Sequence, residues 1–106
     1  MGLILRHYKA PRVDPRKDAA YLRWLRTLPC LVCGITVRIE AAHVGERGLG
    51  QKCPDRQAVP LCELHHRLGP HSHHTIGRKF WTHWKLSRYD AIARYNQLFD
   101  TDGGNQ

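Results

Sequence analysis

The sequence predicts a small α+β domain that is stapled by zinc, and three observations support this class. All four cysteines and six of the eight histidines lie between Cys30 and Gly77. That segment contains two short runs with strand character, and stretches with helical periodicity flank it on both sides. A chain of 106 residues forms one domain, residues 1–106, and buries too little apolar surface to be generously stable without a structural metal.

The metal prediction comes from two chelating pairs that have the same internal spacing. Cys30 and Cys33 form a Cys-x-x-Cys pair, and Cys62 and His65 form the second pair. Zn²⁺ prefers four sulfur or nitrogen ligands in a tetrahedron, so two such pairs can close one structural zinc site. Cys53 is the remaining thiol and is an alternative to His65 as fourth ligand. A disulfide is disfavoured, because the chain shows no secretory leader.

The charge balance indicates the class of partner. The chain has 17 Lys and Arg against 9 Asp and Glu, a net charge of +8 with neutral histidines. A charge of this sign attracts polyanions and favours nucleic acid, although a merely soluble basic protein is the alternative on charge alone. No apolar run approaches the ~20 residues of a membrane span. We therefore expect a cytoplasmic protein without membrane contact.

The first expected element is a helix over residues 15–28. Asp14 is placed to cap it, and Pro15 occupies the first helical position, where its missing N–H costs nothing. Apolar residues recur at helical spacing along it: Tyr21, Leu22, Trp24, Leu25 and Leu28. Pro29 ends the helix and turns the chain into the first cysteine pair.

Two strands are expected to form a hairpin. The β-branched run over residues 35–39 predicts the first strand, which leads to His43. Residues 58–61 predict the second strand, with Pro60 at an edge or a bulge. Three glycines within the six residues 45–50 indicate a loop between them.

Three helices are expected after the hairpin. The first covers residues 62–68 and is ended by a Gly-Pro pair, the second covers residues 76–84, and the third covers residues 88–99. Ser87 and Asp90 have the spacing of a capping box for the last helix. The residues expected to face inward are Ile76, Phe80, Trp81, Trp84, Ile92, Tyr95 and Phe99.

The order of the motifs resembles a known family. The Cys-x-x-Cys pair is followed by Ala-His at His43, a Gly/Lys loop with Pro-Asp at Asp55, Val-Pro-Leu-Cys-x-x-His-His ending at His66, and His-x-x-Gly-x-x-Phe-Trp beginning at His74. Over residues 20–85 this order resembles the HNH endonucleases of the ββα-metal (His-Me finger) superfamily. The similarity is greatest to the phage and prophage branch that includes the recombination-enhancement-function nuclease.

The resemblance implies a fold and an activity. The fold is a ββα-metal core over about residues 28–78, flanked by the N-terminal and C-terminal helices. The activity is metal-dependent hydrolysis of DNA phosphodiester bonds, by nicking or by cutting both strands. His43 would be the general base, and Asp55 would orient it or act as a further metal ligand. His66 and His74 would hold the catalytic divalent ion, such as Mg²⁺, Mn²⁺ or Zn²⁺.

Two positions depart from the family pattern. Ala42 stands where many members have an acidic metal ligand, and Gln57 stands where the middle asparagine is often found. A histidine-rich shell in place of the carboxylate favours Mn²⁺, Co²⁺, Ni²⁺ or Zn²⁺ over Mg²⁺. His74 is preferred to His71 and His73 because it alone begins the His-x-x-Gly motif.

DNA is the expected partner, and the resemblance adds recombination or packaging proteins of a phage. The candidate phosphate-contacting residues are Arg47, Lys52, Arg67 and Lys79. RNA and branched or protein-coated DNA are alternative substrates. The main alternative function is a non-catalytic zinc module that binds DNA or a protein, which predicts one tightly bound zinc and no metal-dependent cutting.

Overall fold

The computed structural model describes residues 15–46 and 53–102. The elements in chain order are α1 (Ala19–Leu25), β1 (Ile39–His43), a 3₁₀ turn (Asp55–Gln57), β2 (Ala58–Cys62), a π-helical turn (Leu64–Leu68), α2 (His73–Ile76), α3 (Lys79–His83) and α4 (Arg88–Thr101). The structure combines helices with a two-stranded sheet, as the predicted α+β class requires. In the described part of the chain, every helix is too short or too polar to cross a bilayer.

Helix α1 begins later than the sequence predicts. Asp18 is its N-cap, and the Asp18 carboxylate accepts a hydrogen bond from the Tyr21 N–H at 3.1 Å. The prediction of a start at Pro15 is therefore wrong, because Asp18 is held in the capping position by its own N–H, which donates to Asp55 at 2.7 Å. Asp14 lies outside the described residues. The helix ends at Leu25, three residues before the predicted end.

The two strands pair antiparallel, with Ile39 opposite Cys62 and His43 opposite Ala58. The second strand covers residues 58–62, one residue more than predicted, so Cys62 is on the strand and the helix predicted over residues 62–68 is only a turn over residues 64–68. The first strand begins at residue 39 and not at residue 35. Arg38 has a φ of +56°, which is incompatible with an extended strand, and the Ile35 carbonyl accepts from the Cys30 N–H at 2.9 Å. The β-branched run is thus used to close the turn around the first cysteine pair.

Strand β2 is the centre of the core, since all five of its residues are buried. Pro60 has no N–H to donate, yet its carbonyl accepts from the Leu31 N–H at 2.9 Å. This bond fixes the first cysteine pair against the strand that carries Cys62. The side chains packed in the core include Tyr21, Leu25, Val59, Leu61, Phe80, Trp81, Ile92 and Tyr95.

The predicted helix over residues 76–84 begins later than expected, at residue 79, and a separate short helix that was not predicted precedes it over residues 73–76. Gly77 has a φ of +58°, a left-handed conformation that glycine adopts at little cost, and it separates α2 from α3. Ser72 caps α2 by accepting from the Thr75 N–H. Ser87 is the N-cap of α4 as predicted, but its side chain makes no capping hydrogen bond, so the capping-box prediction is wrong in that respect.

Arg56 joins the 3₁₀ turn to the helices on either side. Its guanidinium donates to Asp18 at 2.8 Å, to Asn96 at 3.1 Å and to Asp100 at 2.9 Å. The Asn96 amide returns a hydrogen bond to the Arg56 carbonyl at 2.6 Å. Because Asp55 begins the same turn, this network fixes the position from which the Asp55 carboxylate approaches β1.

Candidate functional site

The predicted zinc ligands are brought together. The sulfur atoms of Cys30, Cys33 and Cys62 and the Nδ1 atom of His65 all lie within 4.8 Å of one another. Among residues 15–46 and 53–102, this is the one group of three or more cysteine, histidine or acidic side chains placed to share an ion. The first pair lies on a tight turn in which the Val32 N–H donates to the Cys30 sulfur at 3.4 Å.

The separations between ligand atoms fit a tetrahedral zinc site. At a Zn–S distance of about 2.3 Å, two tetrahedral sulfurs are about 3.8 Å apart, and a sulfur and a nitrogen are about 3.5 Å apart. The Cys33 and Cys62 sulfurs are 3.9 Å apart, and His65 Nδ1 lies 3.2 Å from Cys62 and 3.9 Å from Cys30. Three thiols and one imidazole therefore match Zn²⁺ in chemistry and in spacing.

Cys53 does not belong to this group, which decides the fourth ligand in favour of His65. The Cys53 sulfur instead contacts the Pro54 carbonyl at 3.7 Å and the Gln57 side chain at 3.8 Å. None of the four cysteines forms a disulfide. Burial raises the pKa of Cys62 to about 11, so this thiol must release its proton when a metal binds.

A histidine and a carboxylate meet where the hairpin ends. His43 is the last residue of β1, and its Nε2 atom lies 2.8 Å from Asp55 Oδ1. The other Asp55 oxygen accepts from the Asp18 N–H. Burial opposes ionisation of Asp55, but these hydrogen bonds hold the pKa of its carboxyl below the usual range. Asp55 therefore contacts the His43 ring, and its two predicted roles stay predictions.

The two histidines predicted to hold a catalytic ion are neighbours. The ring centroids of His66 and His74 are 4.6 Å apart, with an angle of 78° between the ring planes. Imidazoles bound to one ion at about 2.1 Å and at 90–109° have centroids about 4.5–5.2 Å apart. The separation of the two rings is compatible with a shared ion, and it is also the separation of an ordinary edge-to-face ring contact. Burial lowers the pKa of His66, which favours the neutral ring that can bind metal.

The other histidines of the predicted cluster have different surroundings. His73 is half-buried against Phe80 and Trp81, and burial lowers its pKa to about 4. His71 stacks on His83, with ring centroids 4.2 Å apart and nearly parallel planes. The geometry agrees with the preference for His74 as the partner of His66.

Glu40 is a residue of this site to which the sequence analysis assigned no role. Its Oε1 atom lies 2.7 Å from His66 Nδ1, and Arg67 donates to both carboxylate oxygens. Hydrogen bonds from Arg67, and to a smaller extent from His66, lower the pKa of Glu40 to about 2. Glu40 precedes His43 by three positions, and that closeness in sequence to the predicted base was the available signal.

Of the four residues predicted to contact phosphate, the two that the structure describes differ in their surroundings. Arg67 is paired with Glu40, so part of its hydrogen-bonding capacity is used within the protein. Lys79 is exposed at the start of α3, and its phosphate contact stays a prediction. Arg47 and Lys52 lie outside the described residues. Arg88 was not among the predicted phosphate contacts. It donates at 3.2 Å to the carbonyl of Val44, the residue that follows His43.

A family model matches residues 5–86, which include all the Cys₃His ligands and His43, Asp55, His66 and His74. Its description is "Protein of unknown function (DUF968)". The chain belongs to the DUF968 family. A relative of this DUF968 protein is "Uncharacterized protein YdfU" of Escherichia coli (strain K12), which is 39% identical over 49 residues.

The alignment with YdfU covers 43% of the DUF968 chain and 14% of YdfU, so the chain spans about one seventh of that relative's length. No solved structure matches the chain significantly.

Proposed function

We propose that this DUF968 protein is a metal-dependent endonuclease of the HNH type that hydrolyses DNA phosphodiester bonds. The observation that carries the proposal is the joint presence of a His43–Asp55 dyad and a His66–His74 pair, which are connected through one strand: His43 ends β1, and His66 contacts Glu40 of the same strand. Asp55 begins the 3₁₀ turn before β2, whereas His66 lies on the π-helical turn that carries the zinc ligand His65 and His74 lies on α2. A histidine with a carboxylate behind it is a typical base, and a pair of histidines is a typical holder of a divalent ion.

His43 would act as the general base. The ionised Asp55 carboxylate accepts from Nε2–H, which leaves Nδ1 of the same ring as the basic nitrogen that takes a proton from water. His43 is partly exposed, with 38% of its side chain accessible, so water and a DNA phosphate can reach it. General-base catalysis typically contributes about 10²–10⁴-fold to a rate.

His66 and His74 would hold the ion, with Mn²⁺, Co²⁺, Ni²⁺ or Zn²⁺ preferred over Mg²⁺ because both protein ligands are imidazoles. A divalent ion bound there would stabilise negative charge on the phosphate and on the leaving oxygen. Arg88, which donates to the carbonyl next to His43, would add positive charge at the same end of the hairpin. The net charge of +8 supports binding to the DNA backbone without reading its sequence.

The test is incubation of the purified protein with supercoiled plasmid in a series of divalent metals, with a chelator control. We expect metal-dependent nicking or cutting that falls at least 100-fold in His43→Ala, while folding and zinc content are retained. His83→Ala is the matched control, since His83 is an exposed histidine that stacks on His71 outside the proposed site. Equal cutting by His43→Ala and the wild type would exclude His43 as the base.

A non-catalytic zinc module that binds DNA or a protein is the second candidate function. It is favoured by one observation: in the described part of the chain, the Cys₃His group is the one set of three or more potential metal ligands. The two functions differ in metal stoichiometry. The nuclease binds one tight zinc and a second, exchangeable ion, whereas the zinc module binds one zinc and leaves plasmid intact in every metal.

A further inference from the structure

We propose that Glu40 is a positioning residue that holds the His66 ring so that its Nε2 atom faces the divalent ion shared with His74. The inference rests on the proposed function, because it concerns the ion site of the proposed nuclease. It adds to that function a residue that neither touches DNA nor binds the ion.

The contact that carries the inference is the 2.7 Å separation between Glu40 Oε1 and His66 Nδ1. The carboxylate accepts from Nδ1–H, so the proton of a neutral ring stays on Nδ1 and the lone pair on Nε2. A metal-binding histidine almost always donates its other ring N–H to a carboxylate, a carbonyl or water. The pair therefore has the arrangement of a metal ligand and its orienting partner.

Arg67 makes Glu40 a rigid partner. Its Nε atom donates to Glu40 Oε1 at 3.0 Å, and its Nη2 atom donates to Oε2 at 2.8 Å. A fork of this kind fixes both the position and the plane of the carboxylate. The Glu40 side chain is 29% accessible and that of His66 is 15% accessible, so the contact is partly shielded from water.

The same contacts argue that Glu40 is not itself a ligand of the ion. Both carboxylate oxygens already accept hydrogen bonds, Oε1 from His66 and Arg67 and Oε2 from Arg67. Binding an ion directly would require the carboxylate to leave the fork. Glu40 therefore acts on the ion through His66.

The test compares Glu40→Gln with Glu63→Gln. Glu63 is a matched control because its side chain is 28% accessible and it pairs with Arg38 at 3.1 Å and with Arg67 at 3.8 Å, whereas the carboxylate bonded to His66 is that of Glu40. Each protein, loaded with one equivalent of zinc, is titrated with Co²⁺ and followed by calorimetry and visible absorption. We expect Glu40→Gln to weaken Co²⁺ binding by about 10–100-fold, with zinc content retained, and Glu63→Gln to bind as the wild type does.

The outcomes separate the two proposals. If the wild type binds no second ion, the ion site of the proposed nuclease is absent and the role of Glu40 falls with it. If the wild type binds Co²⁺ and Glu40→Gln binds it equally well, the role of Glu40 is excluded while the nuclease proposal stands. Should Glu40→Gln fail to fold, ¹⁵N spectra of the zinc-loaded wild type decide. Protonation of His66 at Nδ1 supports the inference, and protonation at Nε2 overturns it.

Discussion

Single residues in the candidate site each make more than one contact, and Asp55 is the clearest case. One of its oxygens accepts from the backbone that caps α1, and the other lies against the His43 ring. The charge of the carboxylate matters for the second contact, because an ionised carboxylate can only accept a hydrogen bond. The ring proton is therefore kept on Nε2, and Nδ1 is left as the basic nitrogen. The same residue thus contributes to a helix terminus and to the proposed base.

The substitution Asp55→Asn separates these two contributions. The amide can still accept from the Asp18 N–H, but it can also donate to His43 Nε2 and so favour the wrong tautomer. We expect plasmid cutting to fall by about 10²-fold or more, with a loss of stability of about 1 kcal/mol. Cutting rates and urea unfolding measure the two effects. Asp100→Asn is the control: it replaces a different carboxylate with an amide whose oxygen can still accept from Arg56, and it should leave cutting unchanged.

His73 makes the stability of the fold depend on pH. Burial lowers its pKa from 6.5 to about 4, so the unfolded chain binds this proton more readily than the folded chain does. Below about pH 6.5 protonation therefore favours unfolding, and stability falls until about pH 4, by an amount on the order of 1–3 kcal/mol. Urea unfolding at several pH values should show this slope in the wild type. A similar slope in His73→Phe would mean that another group is responsible.

At the level of elements, the 3₁₀ turn that precedes β2 is held between two helices. Arg56 is bonded to the N-cap of α1 and to the last turns of α4, and its guanidinium lies 5.1 Å from the Tyr21 ring centre and 4.9 Å from that of Phe99. The turn is only three residues long and has no side-chain cap of its own. Its position, and with it that of Asp55, depends on this clamp.

Removal of the clamp in Arg56→Ala should destabilise the protein by about 1–3 kcal/mol, because hydrogen bonds to two carboxylates and the ring contacts are lost together. Cutting should fall as well, since Asp55 loses its fixed position. Arg56→Lys keeps the charge but not the fork, and we expect an intermediate loss. Urea unfolding measures these changes. The surface variant Arg94→Ala should stay within about 0.5 kcal/mol of the wild type.

For the whole molecule, the Cys₃His group joins parts of the chain that are distant in sequence. Cys30 and Cys33 precede the hairpin, whereas Cys62 is the last residue of its second strand and His65 follows it. A two-stranded hairpin alone is marginally stable in water, so a bound zinc would close the loop that contains it. Metal binding in small modules contributes on the order of 10 kcal/mol of apparent folding free energy.

Loss of one thiolate ligand should therefore unfold the protein. We expect Cys33→Ser to lose zinc and to unfold or aggregate, as observed by metal analysis, circular dichroism and size-exclusion chromatography. Cys53→Ser is the matched control and should keep its zinc and its Tm, because Cys53 lies outside the ligand group. A monodisperse, zinc-free Cys33→Ser protein with normal melting would contradict a structural role for the metal.

The sequence by itself determined the features whose cause is local. Ligands three residues apart lie on one turn whatever the rest of the fold does, so the two chelating pairs were predictable, and so were the second strand and the apolar side of the last helix. A residue's own φ/ψ preference also marks Gly77 as a break, although the apolar periodicity led to the prediction of a helix that begins at residue 76 and includes it.

Only the tertiary structure decided which distant side chains meet. The choice of His65 over Cys53, the His43–Asp55 dyad and the Glu40–His66 contact join residues that are 12 to 35 positions apart. Periodicity carries no information at such separations. The start of β1 was missed for the same reason, since closure of the cysteine turn and docking on β2 override the strand preference of a β-branched run. Local spacing specifies the two chelating pairs, whereas packing of the hairpin specifies which histidines and carboxylates meet in the candidate site.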